Sequence, residues 1–276
     1  MALVETRSID YVPLAERHGK VWHLWPVWFC GDAHLATLAA GVVGIVLGGN
    51  LLWSSIAVIL GSALGTFFMA FHSAQGPQLG LPQMIQSRPQ FGYRGALLVW
   101  LVALLAYVGY NAFNQILAAQ AVHQLVKSIP ADSYLTITVF NIIAVGLAML
   151  GYDLIHLAQR GIAAIMIVML ALFTIGVGFH PTWPANAFDW QGFRGVPFLA
   201  ALFAAASYQI SWSIYVSDYS RYLPKDVSVR ASFWWTYIGA FIGGVASGSL
   251  HGWVWLVAAF AGSALGVRLR GHFRLA

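Results

Sequence analysis

Long uninterrupted apolar runs, set apart by short polar breaks, leave this chain few folds to choose from. Residues 27–48, 51–72, 97–126, 134–151, 160–179, 197–217 and 231–250 form seven such runs, and 252–267 forms a weaker eighth. About 20 apolar residues in a helix cross the ~30 Å hydrocarbon layer of a bilayer. With 59% hydrophobic residues, 8% charged residues and a mean hydropathy of +0.73, 276 residues carry too little polar surface to cover a soluble globule. The runs are continuous rather than alternating and roughly twice as long as a barrel strand, which excludes a closed transmembrane barrel. The sequence therefore predicts an all-α polytopic membrane protein with seven or eight spans, whose largest partner is the lipid bilayer. Gly44 and Gly48, Gly61 and Gly65, Gly239 and Gly243, and Gly244 and Gly248 have the spacing of close helix contacts in membranes.

Charge sets the expected orientation. Residues 1–26 begin with a polar stretch of both signs and lack the apolar core and cleavage site of a secretory signal, so they are expected to form a retained tail. A cytoplasmic N-terminus places nine basic residues inside: Arg7, Arg17, Lys20, Arg88, Arg94, Arg160, Arg221, Lys225 and Arg230. Only Lys127 and Arg194 then lie outside, the bias that orients proteins of the inner (plasma) membrane. Arg268, Arg270 and Arg274 join the inner side only after an eighth crossing, which favours that crossing. Trp22, Trp25, Trp28, Trp53, Trp183, Trp190, Trp234 and Trp235 sit near span ends, where indole suits the headgroup region. The net charge of +5 is scattered between apolar runs without stacking aromatics, so nucleic acid is not an expected partner.

Several chemistries are excluded by missing patterns. The single cysteine, Cys30, cannot form an intramolecular disulfide. No His-Glu zinc motif, Gly-x-Ser-x-Gly elbow or phosphate-cradling glycine loop is present, so an intramembrane enzyme is not expected. The nine histidines include no i, i+4 pair within one span, which removes the usual haem or metal arrangement, and no cofactor is expected. No repeated filter or ring of like charge points to a channel.

Three segments carry a more specific signal. The loop after the second run reads SAQGPQLGLPQMIQSRPQFGYRG, Ser73 to Gly95, and its Gly and Pro residues are expected to keep it out of regular helix. The tail contains IDYVPLAERHGK, Ile9 to Lys20, and the end of the sixth run reads SDYSRYLP, Ser217 to Pro224. Together, in this order and at these separations, they resemble the nucleobase-cation symporters, in particular the purine-cytosine permease branch, over about residues 7–240. The resemblance implies two inverted five-helix repeats, with substrate bound near the midplane between broken first and sixth helices. The first repeat would occupy about 27–179, the second would begin at about 197–250, and 251–276 would be an atypical span and basic tail. It also implies cation-coupled uptake of a nucleobase or related heterocycle such as cytosine, a purine, uracil, hydantoin or allantoin. The runs themselves mark where helices break: Phe29 to His34 sets a glycine beside two polar residues, and Ser207 to Ser213 is the most polar stretch in any span.

Within those breaks Asp32 is the one acidic residue deep in a predicted span, where a carboxylate costs about 2.5–3.5 kcal/mol on insertion scales. It either carries a coupling proton or is held structurally, by His34 or by backbone. Relatives of the resembled family commonly have an amide there. By the same resemblance Tyr110, at a position usually held by Trp, would stack on the substrate ring, and Asn114, at i+4, would bind its edge. Ser207, Tyr208 and Gln209 would contact substrate where the sixth helix unwinds, with Trp212 a packing residue one turn on. Backbone carbonyls at Cys30 and Ala33 would provide half of a sodium site. The hydroxyl-bearing eighth helix that completes such a site is represented only by Ser263, so the coupling ion, H⁺ or Na⁺, is expected to be the proton, with Asp32 and His34 as its carriers. Asp218, Arg221 and Lys225 are expected at the cytoplasmic end, where charge serves orientation. One repeat and part of a second leave open a second reading, a membrane remnant that binds without transporting, and the ending GVRLRGHFRLA fits no segment of the family. Oligomeric state is left open.

Overall fold

Apolar helical runs interrupted by glycine and buried polar residues make up the fold. The computed structural model describes residues 7–149, 152–179 and 184–248. Eleven α-helices follow one another among them: α1 (Leu24–Asp32), α2 (Leu35–Gly41), α3 (Val43–Val46), α4 (Leu51–Phe71), α5 (Gln75–Leu79), α6 (Gln83–Gln86), α7 (Arg88–Leu125), α8 (Tyr134–Met149), α9 (Tyr152–Phe179), α10 (Gly195–Ser211) and α11 (Val229–Gly248). The described residues contain no β-strand. Among the described residues four helical stretches are long and apolar enough to cross a bilayer, or five if the pair on either side of residues 33–34, bent by 63°, is one span. This is fewer than the seven or eight runs in the sequence. Helix α8 has only 16 residues, and α11 carries Arg230, Ser232, Thr236 and Ser247. The expected eighth span at 252–267, Ser263, the terminal arginines and Trp183 lie outside the described residues.

Contacts divide the chain into two compact units. Unit 1 comprises residues 1–27, 67–162 and 210–237, and unit 2 comprises 28–66, 163–209 and 238–276.

In unit 1 the three motif segments meet. The Val12 N–H donates to the Gly80 carbonyl (2.8 Å) and the His18 N–H to the Tyr222 carbonyl (2.6 Å), so the tail is tied to both loops. Arg17 is buried and donates to the carbonyls of Val12 and Pro77, while Ser220 Oγ donates to the Ser73 carbonyl (2.6 Å) and Ser232 Oγ pairs with Ser73 Oγ (3.2 Å). The Ser73–Gly95 segment is not the irregular loop its composition suggests. It folds into α5, α6 and the start of α7; Gly76 allows close approach, a Cβ there meeting the Ser217 carbonyl at 2.6 Å, and two further glycines supply the changes of direction. Gly80 ends α5 at φ 62°, ψ 23°, the left-handed cap that lacks a Cβ penalty. Gly92 kinks α7 at φ 69°, ψ 176°.

Unit 2 is held by close helix contact. A Cβ added to Gly61 would collide with the Leu202 carbonyl, and one on Gly65 would lie 2.7 Å from Gln209 Cβ and closer still to the Ala206 carbonyl, so this expected glycine pair is a seam between α4 and α10. Asn50 precedes α4 and caps it, its Oδ1 accepting the Trp53 N–H (3.0 Å) while its amide donates to the Asp189 carbonyl (2.7 Å). The Trp53 indole N–H donates to the Trp190 carbonyl (3.1 Å), anchoring two of the span-end tryptophans.

Candidate functional site

The break between α1 and α2 falls where glycine and polar residues interrupt the first apolar run. The Ala33 N–H reaches back to the Phe29 carbonyl (2.7 Å), after which His34 adopts extended backbone and α2 begins at Leu35. Extended backbone would leave the first N–H groups of α2 unmet, and His34 supplies the cap: its Nδ1 accepts the Ala36 N–H (3.2 Å). The other ring nitrogen, Nε2, lies within hydrogen-bond distance of Tyr208 Oη (3.0 Å). Thr37 Oγ1 donates to Tyr208 Oη (3.0 Å). Tyr208 on α10 thus gathers two side chains from the start of α2.

Asp32 closes α1 and is fully buried, and Ala33 is buried beside it. Cys30 is half-buried. The approach is tight, since a Cβ on Gly243 of α11 would lie 2.6 Å from the Phe29 carbonyl and 2.9 Å from Asp32 Cβ. Gln209 is 1% exposed; its Nε2 makes a long bond to the Ala240 carbonyl (3.5 Å), and among the described residues its Oε1 has no hydrogen-bond partner. Ser207 faces outward and bonds back to the Ala204 carbonyl (3.1 Å). Unit 2 therefore buries Asp32, Ala33, Tyr208 and Gln209, sets half-buried His34 against Tyr208, and leaves Ser207 out. The expected unwinding at residues 207–209 is not seen: α10 stays helical to Ser211 and tightens into a 3₁₀ turn at Trp212–Ile214.

In unit 1, Tyr110 is half-buried with its Oη 3.4 Å from Ser211 Oγ, and Asn114 is exposed. The buried amide on this part of α7 is Gln115, which donates to Asn111 Oδ1 (3.3 Å), and Asn111 in turn donates to Asn141 Oδ1 of α8 (2.9 Å). Sequence reasoning passed over Asn111 and Gln115, although both lie in the same polar stretch as Asn114.

The SDYSRYLP segment is less exposed than expected. Arg221 is 7% exposed, because the tail covers it and takes its Nη1 donation at the Ser8 carbonyl (3.1 Å). Asp218 Oδ1 accepts the Gln83 N–H (2.6 Å) and Gln83 Oε1 accepts the Ser217 N–H (3.0 Å), locking the segment to α6. Burial pushes the Asp218 carboxyl up to about 6, against the pull of the Gln83 N–H and of the Arg221 charge. Burial and the neighbouring Asp218 charge likewise push the Tyr219 phenol up to about 12. The described residues hold no group of three or more His, Cys, Asp or Glu side chains able to hold a metal ion.

Known proteins match this arrangement. The family model for permeases of cytosine/purines, uracil, thiamine and allantoin matches residues 11–269. A candidate purine-cytosine permease of Bacillus subtilis, YxlA, is 40% identical over 243 residues, covering 88% of this chain and 52% of its own length. The purine-cytosine permease fcyB of Emericella nidulans is 27% identical over 244 residues, 87% of this chain and 47% of its own length. The chain thus spans about half the length of these curated relatives. Mhp1, a nucleobase-cation-symport-1 family transporter solved in a closed conformation with bromovinylhydantoin bound, matches 91% of this chain and 57% of its own with a TM-score of 0.71 at 17% identity, a likeness of fold. With a family model covering nearly all of the described helices and a relative at 40% identity, the chain belongs to the cytosine/purine permease family.

Proposed function

We propose that this chain acts in cation-coupled uptake of a nucleobase or related small heterocycle across the inner membrane, with its N-terminus in the cytoplasm and its helices arranged as part of a five-plus-five inverted repeat. The observation that carries the reading is the break after α1, where fully buried Asp32 precedes His34 and the side chains beyond the break converge on Tyr208. Discontinuous helices with polar residues at the break are how transporters place a binding site inside a bilayer. Names of the relatives supply the substrate class, purines and cytosine. Gln209 would bind the edge of the ring through its amide, with Tyr208 beside it, and stacking on a ring is the role proposed for Tyr110. A carboxylate held at full burial in an apolar span is costly enough to be kept for a function, and Asp32 would carry the coupling proton with His34 beside it. Backbone carbonyls of Cys30 and Ala33 would offer oxygen ligands if the ion were sodium.

The test is uptake of labelled cytosine, uracil, adenine, hydantoin and allantoin by cells lacking their own nucleobase permeases, with membrane insertion checked independently. Accumulation of at least one compound is expected, abolished by a protonophore and by Asp32→Asn and unchanged when choline replaces sodium. Absence of accumulation by inserted protein would overturn transport, whereas a sodium requirement would overturn only the proton.

A further inference from the structure

A cavity in unit 1 uses none of the residues assigned to transport. It has a volume of about 230 Å³ and is walled by Tyr107, Tyr215, Asp218, Tyr219, Arg221 and Tyr222. A larger, mostly apolar cavity of about 390 Å³ shares Pro82, Tyr107 and Asp218 with it, so Asp218 stands at the junction of the two.

Asp218 and Arg221 face this space with opposite charges, yet among the described residues no ion pair joins them. Each has a partner of its own, Asp218 the Gln83 N–H (2.6 Å) and Arg221 the carbonyl of Ser8, itself a lining residue (3.1 Å). A carboxylate has about four lone-pair sites and a guanidinium five N–H donors, so each retains capacity towards the cavity. Arg221 is 7% exposed, Tyr215 6% and Tyr222 7%, which makes this a built wall rather than loose surface. The rest of the wall is aromatic and apolar: the Tyr107 and Tyr215 rings pack on one another 4.8 Å apart and tilted by 46°, the Arg221 guanidinium lies 5.3 Å from the Tyr222 ring centroid, and Pro82, Ala148 and Ile155 complete the lining. Opposite charges would suit a small zwitterion, but four tyrosines favour a flat ring whose edge alternates donor and acceptor. One such ring with a few waters, each taking about 30 Å³, fits the volume.

We propose that this cavity is a second binding site for a planar heterocycle with a ring N–H beside a carbonyl, Asp218 accepting the N–H, Arg221 donating to the carbonyl, and the tyrosines holding the ring. The site rests on the substrate class proposed above, but on different residues. The charged and titratable groups facing Asp218 are Arg221, Tyr107, Tyr215, Tyr219 and Tyr222 in this cavity and Arg88 and Tyr93 in the larger one, and the carboxyl of Asp218 itself lies at about 6. Below that pH it loses the charge that makes it a strong acceptor.

Equilibrium dialysis of the full chain in lipid nanodiscs against labelled uracil and hydantoin reads the number of sites. Two molecules per chain are expected, with the binding of one falling as pH drops below about 6. Asp218→Asn keeps an acceptor for the Gln83 N–H and should weaken that binding roughly tenfold or more, as loss of a charge-assisted hydrogen bond does, while the other remains. If Asp218→Asn does not fold, Tyr107→Leu removes a ring from the same cavity and should weaken the same binding. One molecule per chain, unaffected by either substitution, overturns the second site and leaves the transport reading standing. Failure of any heterocycle to bind overturns both.

Discussion

Asp218 is a carboxyl that folding makes harder to ionise. Its folded value of about 6 lies above the ordinary 3.8, so between these pH values the folded protein holds a proton that the unfolded chain has released. Stability therefore falls as pH rises through that window and levels off above about 6. Thermal unfolding of detergent-solubilised protein should show this decline, and Asp218→Asn should flatten it; a wild-type profile already flat from pH about 4 to 6 would contradict the assigned burial. The sequence placed Asp218 and Arg221 at the cytoplasmic end, where charge is cheap, because the tail that covers Arg221 and the Gln83 N–H that binds Asp218 lie far away in the chain. His34 was easier to anticipate. A histidine next to Gly31 and Asp32 inside an apolar run marks a break, but the cap it forms and its hydrogen bond with Tyr208 depend on geometry that no spacing reveals.

Among the elements, α4 and α10 depend most on what they lack. Gly65→Val would drive a branched side chain into the Ala206 carbonyl and Gln209, neither of which can yield without moving α10. Overpacking of this kind costs about 1–3 kcal/mol. Gly146→Ala on α8, where nothing lies within 4 Å, serves as the contrast and should be neutral or stabilising by up to about 1 kcal/mol. Melting temperatures of the two variants in one detergent check both, and equal shifts would argue against the seam. Glycine spacing made this seam legible in the sequence. The shape of α10 was not, because polarity at Ser207–Gln209 was taken to require unwound backbone. Ser207 instead bonds within its own helix and Gln209 to the α11 backbone, so the helix keeps its ladder.

For the whole molecule, composition was enough to identify a membrane protein, while the meeting of the tail, the Ser73–Gly95 segment and SDYSRYLP was hidden by the long stretches between them. Beyond its kink at Gly92, helix α7 runs on to Leu125, about 50 Å at 1.5 Å per residue and longer than the ~30 Å hydrocarbon layer. Lys20 and Lys127 are both exposed and suit thiol labelling. In a Cys30→Ala background, the proposed orientation predicts that an impermeant maleimide reaches Lys127→Cys in intact cells but Lys20→Cys only after permeabilisation; the reverse pattern would invert the topology. The kink itself has a stereochemical meaning. At φ 69°, ψ 176° Gly92 adopts the mirror image of an ordinary extended L-residue, so a D-alanine would sit there at ease and an L-alanine would not. Glycine is the one genetically encoded residue that can stand in for the opposite hand, and at this point the direction of the longest helix depends on that achirality.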